Sequence, residues 1–569
     1  MKKDYIIDGN EACALGAYLF SEICGIYPIT PASPMATLTD KWSNEGKKNL
    51  FNDTVKVVEM QSEAGAVAVT HGALQAGCLG TTFTASQGLL LMIPTMYKMA
   101  GEMLPGVIHV AARSLATHAL SIFGDHQDIY ATRSTGFCML SSSSVEEAYY
   151  MSIISHLSAI EGSLPFLHFF DGFRTSHELN KVSLVDTEEI RKLIDYKKVY
   201  EFKNKALNIG KEITRGTSET GDVYFQNTEV RNKYYNDMPD IVNRYMEKIN
   251  TLAFTDYKPF NYYGKKDASD IIIAMGSVCS TIRTVVDILN KKGYRVGMIE
   301  VHLYRPFSTK YLLNVLPKSV ERIAVLDRTK EPGSTGEPLY LDIMEALKKK
   351  NISIYGGRYG LSSKDVPLKD INAVFENLFS DNPKNNFTIG INDDVTHLSL
   401  EPKEIEVQRD YKEIKVYGFG SDGMVGASKN FIKVLGEIKD NYVQGYFEYD
   451  SKKSGGTTIS HLRVGPTKIE APYFLTSPDF VVVSKDVYLN NYHLLKDIKN
   501  GGILLISSDK TDEELNNLIN NDNKKEIINK NIKVYIASLD KLRNIIYMVR
   551  LIISCVHICL RLLDMVEMK

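Results

Sequence analysis

Three residues stand where this sequence could do chemistry. Arg113 directly follows the apolar run Val107-Ile-His-Val-Ala-Ala112. A guanidinium fixed at the end of a buried strand offers two parallel donors to a carboxylate, so it suits an organic acid as substrate; a structural ion pair is the other reading of the same position. Thr30 closes the run Gly25-Ile-Tyr-Pro-Ile-Thr30 and precedes Pro31, where a hydroxyl can face the same space or simply complete a turn. Glu63 falls in the first turn of an Ala/Gly-rich helical stretch that opens at Ser62. Its carboxylate either complements the positive end of the helix or faces a cofactor nitrogen, and the residues alone leave both readings open.

Three further segments carry polar or glycine-rich chemistry. Gly124-Asp-His-Gln-Asp128 gathers carboxylates around a histidine, but no further His/Asp spacing extends it into a ligand set, so it reads as a polar loop or helix start and no metal site is expected. Gly418-Phe-Gly420-Ser-Asp-Gly423 follows a strand and opens a helix, the setting in which backbone N–H groups cradle a phosphate. Lys452 and Lys453, ahead of Gly455 and Gly456, form a basic loop that can meet further phosphates or remain a solvated turn. A dinucleotide-dependent dehydrogenase built on the Gly418 loop is disfavoured, since no acidic residue clearly stands at the ribose position about 20 residues on.

The elements that must position these residues follow from the hydrophobic pattern. Asp8 to Ile23 reads as a helix, Gly25 to Thr30 and Thr54 to Val58 as strands, and Ser62 to Gln75 as a helix with Ser62 as N-cap. Gly80 to Thr84, Val107 to Ala112 and Leu164 to Phe170 read as strands, and Gln87 to Leu104 as a helix kinked or broken at Pro94. Near-continuous apolar strands alternating with helices imply a parallel α/β sheet. Residues 200–262 look irregular apart from a helix around Pro239 to Thr251. A second α/β unit begins near Ser269, with strands Asp270–Ala274, Val296–Val301 and Arg322–Asp327. A third opens at Glu413–Tyr417 and includes strands at Phe480–Val483 and Gly502–Ile506.

Composition narrows the classes. Lys+Arg is 67 and Asp+Glu 69 in 569 residues, a net charge of -2, without the basic excess of a nucleic-acid binder. Seven scattered cysteines include no C-x-x-C pair, which argues against a disulfide framework, a zinc ribbon or a ferredoxin-type cluster in this chain. Asp4, Asp8 and Glu11 interrupt any signal-peptide core, and the apolar stretch Leu551 to Leu560 is well short of the roughly 20 residues a spanning helix needs, so a cytoplasmic protein without a membrane segment is expected.

The motifs resemble the pyruvate:ferredoxin (flavodoxin) oxidoreductases of the 2-oxoacid:ferredoxin oxidoreductase family. The similarity runs through Asp8-Gly-Asn-Glu-Ala12, Ile26-Tyr-Pro-Ile-Thr-Pro31 and Glu59-Met-Gln-Ser-Glu-Ala-Gly65. It continues through Thr82-Phe-Thr-Ala-Ser-Gln-Gly88, Ala119 to Asp128, His168-Phe-Phe-Asp-Gly-Phe-Arg-Thr-Ser-His-Glu178 and Tyr449-Asp-Ser-Lys-Lys-Ser-Gly-Gly456, covering residues 1 to about 540. The resemblance implies three consecutive α/β domains: a pyrimidine-binding domain for thiamine diphosphate with a wrapping segment (1–257), a transketolase C-terminal-like domain (258–405) and a gamma-type, coenzyme A-binding domain (410–541), before a divergent tail (542–569). It further implies that Glu63 bonds the aminopyrimidine of thiamine diphosphate, that Thr30 and Arg113 hold pyruvate, and that Gly418, Gly420, Gly423, Lys452 and Lys453 meet coenzyme A phosphates.

The chain also departs from that family. It has no cluster cysteines and no G-D-G…N-N motif for a magnesium–diphosphate, so magnesium, the iron–sulfur clusters and the contact with ferredoxin or flavodoxin are expected in a missing half, within an assembly that is usually a homodimer. The chain is expected to be inactive alone. After about Lys541 the apolar text from Ile545 to Leu560 no longer resembles the family, which suggests a frameshifted or terminated product rather than a genuine short subunit or a sequencing error. A non-catalytic remnant or a coenzyme A-binding module is the alternative function.

Overall fold

Apolar runs in the first third form the centre of a seven-stranded sheet. The computed structural model describes residues 2–207, 209–438, 440–449 and 456–537. The sheet order is Leu303–Arg305, Cys138–Ser142, Phe166–Asp171, Val107–Ala112, Gly80–Thr84, Ile23–Ile26 and Lys56–Glu59. All neighbours are parallel except Leu303–Arg305, which joins the edge antiparallel. All six residues of Val107–Ala112 and of Phe166–Asp171 are buried, as a parallel strand covered on both faces requires. The chain leaves Ile23–Ile26 toward Lys56–Glu59, returns over it to Gly80–Thr84, and then proceeds the other way. The carboxyl ends of Ile23–Ile26 and Gly80–Thr84 therefore flank a topological switch point, where open α/β sheets bind ligands.

The helix Glu63–Gln75 makes that return crossing. Its N-cap Ser62 accepts a hydrogen bond from the Gly65 N–H at 3.2 Å, which fixes where the helix begins and so where Glu63 points. It packs against Ile23–Ile26 at Gly25, where a Cβ would come within 2.3 Å of the Ala66 carbonyl oxygen. Replacing Ser62 by Ala should cost about 1 kcal/mol, seen as a lower urea midpoint; an unchanged midpoint would show that packing alone sets the helix start.

A second sheet, in the order Phe387–Thr388, Ser353–Arg358, Arg322–Asp327, Asp270–Ala274, Val296–Val301 and Phe260–Gly264, is parallel except for its last strand. Both sheets belong to one compact unit, comprising residues 1–177, 182–407 and 470–473. The other unit, residues 178–181, 408–469 and 474–569, holds a third sheet. There Tyr442–Tyr449 and Thr457–Gly465 pair antiparallel, Lys412–Phe419 joins Thr457–Gly465 antiparallel, and Phe480–Val483, Ile503–Ser507 and Lys533–Ala537 continue in parallel. The fully buried Arg463 is held by Glu413 at 3.1 Å and by Gln444 at 3.0 Å.

Several elements differ from expectation. The helix Ser86–Gly101 runs through Pro94 without a break. Pro94 faces solvent, where water can serve the carbonyl one turn back. Residues 200–262 are mostly helical, with Gly221–Val230 and Asn232–Ala253. The strand Cys138–Ser142 and the helix Val145–Gly162 were not apparent in the pattern, because that helix is buried nearly all round and shows no polar stripe. Among the described residues no helix is long and apolar enough to cross a membrane.

Candidate active site

Glu63 is 7 % exposed, and its carboxylate has no hydrogen-bond or ion-pair partner among the described residues. It lies against Gly88, where a Cβ would meet Glu63 Cγ at 2.7 Å, Glu63 Oε1 at 2.8 Å and Thr84 Oγ1 at 2.7 Å. Only glycine leaves this carboxylate room. The hydroxyls of Thr82 and Thr84, at the end of the adjoining strand, are buried and also lack a partner. The two hydroxyls, sealed without a partner, are costly unless something else satisfies them, and the Glu63 carboxylate beside them is open to a hydrogen-bond donor.

Arg113 begins where its strand ends and is 8 % exposed. Its Nη1 donates to the Thr30 carbonyl at 2.8 Å and its Nε to the Ser121 carbonyl at 3.3 Å. No carboxylate pairs with it among the described residues, so the structural ion pair is not what holds it. The structure thus brings Thr30 and Arg113 together, with guanidinium donors to spare for an anion. Asn10 holds the other side of the Thr30 loop, donating from Nδ2 to the Pro31 carbonyl at 3.0 Å.

Asp128 ties these parts to one another. Its Oδ2 accepts the backbone N–H of Ser86 at 2.7 Å and of Arg113 at 3.0 Å, clamping two neighbouring strand ends. Burial raises its carboxyl to about 8, against those two backbone hydrogen bonds. Ser86 sits at φ 54°, a left-handed conformation that this clamp sustains. The segment read as a polar loop or helix start does open the short helix Gln127–Ala131, but Asp125, His126 and Asp128 are all buried, so it is interior framework and not a surface loop. Its sequence gave no sign of this, because burial of a polar segment is decided by what packs over it.

His126 leads to a second hub. Its Nε2 lies 2.6 Å from Asp171 Oδ1, while Asp171 Oδ2 receives the Ser277 N–H at 2.8 Å, the Ser277 hydroxyl, and Arg328 Nη1 at 2.8 Å. Asp171 ends a strand of the first sheet, whereas Ser277 and Arg328 come from the second. Burial opposes charge on Asp171, but Arg328 and His126 outweigh it and hold the carboxyl well below the usual range.

A chain of imidazoles crosses the first sheet. His156 Nε2 is 3.2 Å from His109 Nε2, His109 Nδ1 is 3.0 Å from His168 Nδ1, and His168 Nε2 is 2.7 Å from Ser142 Oγ. Cys13 Sγ lies 3.7 Å from His168 Nδ1. One proton per ring satisfies every link, all running toward Ser142 or all away from it. Burial keeps the rings neutral, with His156 and His168 lowered to about 3 and His109 lowered as well.

In the other unit, Gly418–Gly423 does join a strand to the helix Met424–Glu437. Asp422 takes up the N–H groups of Phe419 at 2.7 Å and Met424 at 2.8 Å, and the Gly420 N–H donates to the Gly456 carbonyl at 2.8 Å. The loop is therefore partly satisfied from within. Lys452, Lys453 and the tail 542–569 lie outside the described residues.

An open, mostly parallel α/β sheet with Glu63, Arg113 and Thr30 beside its switch point places the chain among the doubly wound α/β folds. Residues 15–247 match the family described as pyruvate flavodoxin/ferredoxin oxidoreductase, thiamine diphosphate-binding; residues 268–371 match pyruvate:ferredoxin oxidoreductase core domain II; and residues 413–550 match pyruvate ferredoxin/flavodoxin oxidoreductase. The pyruvate:ferredoxin oxidoreductase of Moorella thermoacetica is 52% identical over 534 residues, covering 93% of this chain and 46% of that protein. The pyruvate-flavodoxin oxidoreductase of Enterobacter agglomerans is 50% identical over 537 residues, covering 94% and 46%. A solved 2-oxoglutarate:ferredoxin oxidoreductase from Magnetococcus marinus aligns with a TM-score of 0.49 and 17% identity over 66% of this chain and 65% of that one. The chain belongs to the pyruvate:ferredoxin/flavodoxin oxidoreductase family, and it spans about half the length of the curated relatives it matches.

Proposed function

We propose that this chain is the part of a pyruvate:ferredoxin/flavodoxin oxidoreductase that binds pyruvate, the aminopyrimidine side of thiamine diphosphate, and coenzyme A. The observation that carries this reading is the Glu63 carboxylate, buried against Gly88 without a partner and joined through Ser86 and Asp128 to Arg113 and Thr30.

Thiamine diphosphate, when bound, supplies the carbanion and electron sink that decarboxylation of a 2-oxo acid requires. Glu63 would hold a hydrogen-bonded proton on a ring nitrogen of the aminopyrimidine, selecting the tautomer that favours loss of the thiazolium proton. Arg113 would take the pyruvate carboxylate and Thr30 would face its keto oxygen. Burial strengthens each of these interactions by excluding water from the charged groups. In the third sheet, Gly418, Gly420 and Gly423, with Lys452 and Lys453, are the candidates for coenzyme A phosphates, although Asp422 already engages part of that loop. The magnesium–diphosphate site, the iron–sulfur clusters and the surface for ferredoxin or flavodoxin belong to the other half of the relatives' length. We place the assembly in the cytoplasm, as a homodimer when complete.

The test mixes the chain with pyruvate, coenzyme A, thiamine diphosphate and a redox dye, with and without a polypeptide carrying the remaining half of the Moorella relative. Dye reduction is expected only when both are present. Reduction by the chain alone would contradict this division of labour, and no reduction by the pair would favour a remnant without turnover.

A further inference from the structure

Two buried polar atoms near the boundary of the first two sheets face each other without a hydrogen bond. They are His302 Nε2 and Glu300 Oε1. Glu300 lies near the end of Val296–Val301 and His302 just follows it, while Glu147 reaches them from the first turn of Val145–Gly162. All three residues are buried within one compact unit.

The hydrogen accounting is specific. His302 Nδ1 lies 2.9 Å from the Lys258 carbonyl, which can only accept, so Nδ1 carries a hydrogen. Nε2 therefore offers either a lone pair or a second proton. It lies 3.4 Å from Glu147 Oε2 and 3.7 Å from Glu300 Oε1. A charged N–H donating to a carboxylate contracts to about 2.8 Å. By contrast, nitrogen and oxygen ligands that share a tetrahedral cation, each about 2.1 Å from it, stand about 3.4 Å apart. One ligand atom from each of the three residues falls within 4.8 Å of the other two.

Arg283 bonds the other oxygen of Glu300 and lies 3.7 Å from Glu470. The Lys258 carbonyl on His302 Nδ1 and Arg283 on the other oxygen of Glu300 are hydrogen bonds that orient ligands, while Glu147 Oε2 is positioned by the Ser143 N–H at 2.7 Å and the Ser143 hydroxyl at 2.9 Å and its Oε1 stays open. The neighbouring set Cys13, His109 and His168 also clusters tightly, but it closes through its own hydrogen bonds and needs no ion.

We propose that Glu147, Glu300 and His302 bind one divalent transition cation of the zinc type, tying the helix Val145–Gly162 to the strand Val296–Val301. This departs from the expectation, drawn from spacing alone, that the chain holds no metal site. The three ligands come from positions 147, 300 and 302, a separation that no ligand-spacing pattern contains.

The site is buried, so the ion enters as the chain folds. The test expresses the full chain with zinc in the medium, and separately refolds it from urea with zinc alone, before dialysis against a chelator and metal counting. About one zinc per chain is expected, with an X-ray absorption spectrum showing nitrogen and oxygen ligands, including imidazole, and no sulfur. Glu300→Gln and His302→Gln should each lower the zinc content at least about tenfold with an unchanged circular dichroism spectrum. Zinc below about a tenth of an equivalent by both routes would overturn the proposal. So would retention of zinc by both variants, or sulfur in the spectrum, which would move the ion to Cys13. If the variants misfold, the spectrum of the unaltered chain decides.

Discussion

Glu63→Gln should lower turnover of the complete enzyme by about 10²–10⁴-fold, the range for removing a positioned acid–base group. Gln keeps the length and nearly the volume of the side chain, so the packing against Gly88 survives and folding should be unchanged. The charge is what disappears. An amide cannot stabilise a protonated ring nitrogen as a carboxylate can, and the loss falls on formation of the reactive cofactor rather than on pyruvate binding. The measurement is dye reduction by the chain joined to the remaining half of a relative, with the pyruvate dependence recorded for both forms. A fall in kcat with little change in KM is expected. Activity within about twofold of the unaltered chain would assign Glu63 to the helix dipole instead, a contribution of well under a factor of ten.

Asp171→Asn should destabilise the chain by about 3–5 kcal/mol, the usual cost of removing one partner from a buried charged pair. Asp171 is fully buried and answers His126, Ser277 and Arg328 at once. An amide in its place turns one acceptor into a donor, which then confronts either the Ser277 N–H and the Arg328 guanidinium together, at the position of Oδ2, or His126, at the position of Oδ1. The side chains of Arg328 and His126 stay buried while the negative charge facing them is gone. Urea unfolding followed by circular dichroism is the check, with Lys233→Gln on an exposed helix face as a neutral control. A midpoint no lower than the control would mean that the two sheets are held together by apolar packing alone.

The parts of the fold legible in the sequence were those governed by local rules. Val107–Ala112, Gly80–Thr84 and Asp270–Ala274 are short apolar runs bounded by turn residues, and they occur as strands at the expected positions. Ser62 signalled the helix start that aims Glu63. The helix Val145–Gly162 escaped because burial on every side erases the periodicity by which helices are recognised. Thr457–Gly465 escaped because its two antiparallel partners lie in distant stretches of chain. For the site, Thr30 and Arg113 were visible as polar residues at strand ends and Glu63 as an acid in the first turn of a helix, and the fold brings Thr30 and Arg113 into contact. Asp128 and Asp171 were not singled out, since their importance lies in accepting backbone and side-chain donors from other strands, a property of three-dimensional neighbours. The room that Gly88 leaves for Glu63 is equally invisible until the two elements are packed together.

The line of imidazoles through the first sheet has an evolutionary consequence. Each ring's proton is set by the next, so His156, His109, His168 and Ser142 share one orientation and can reverse it only together. Replacing one ring with an apolar residue strands its neighbour in a dry interior, whereas replacing the whole row with apolar residues of matching shape strands nothing. Substitutions along the row are therefore strongly epistatic. Intermediates between a polar row and an apolar one are worse than either end, and a lineage holding one arrangement is separated from the other by a fitness valley several substitutions wide.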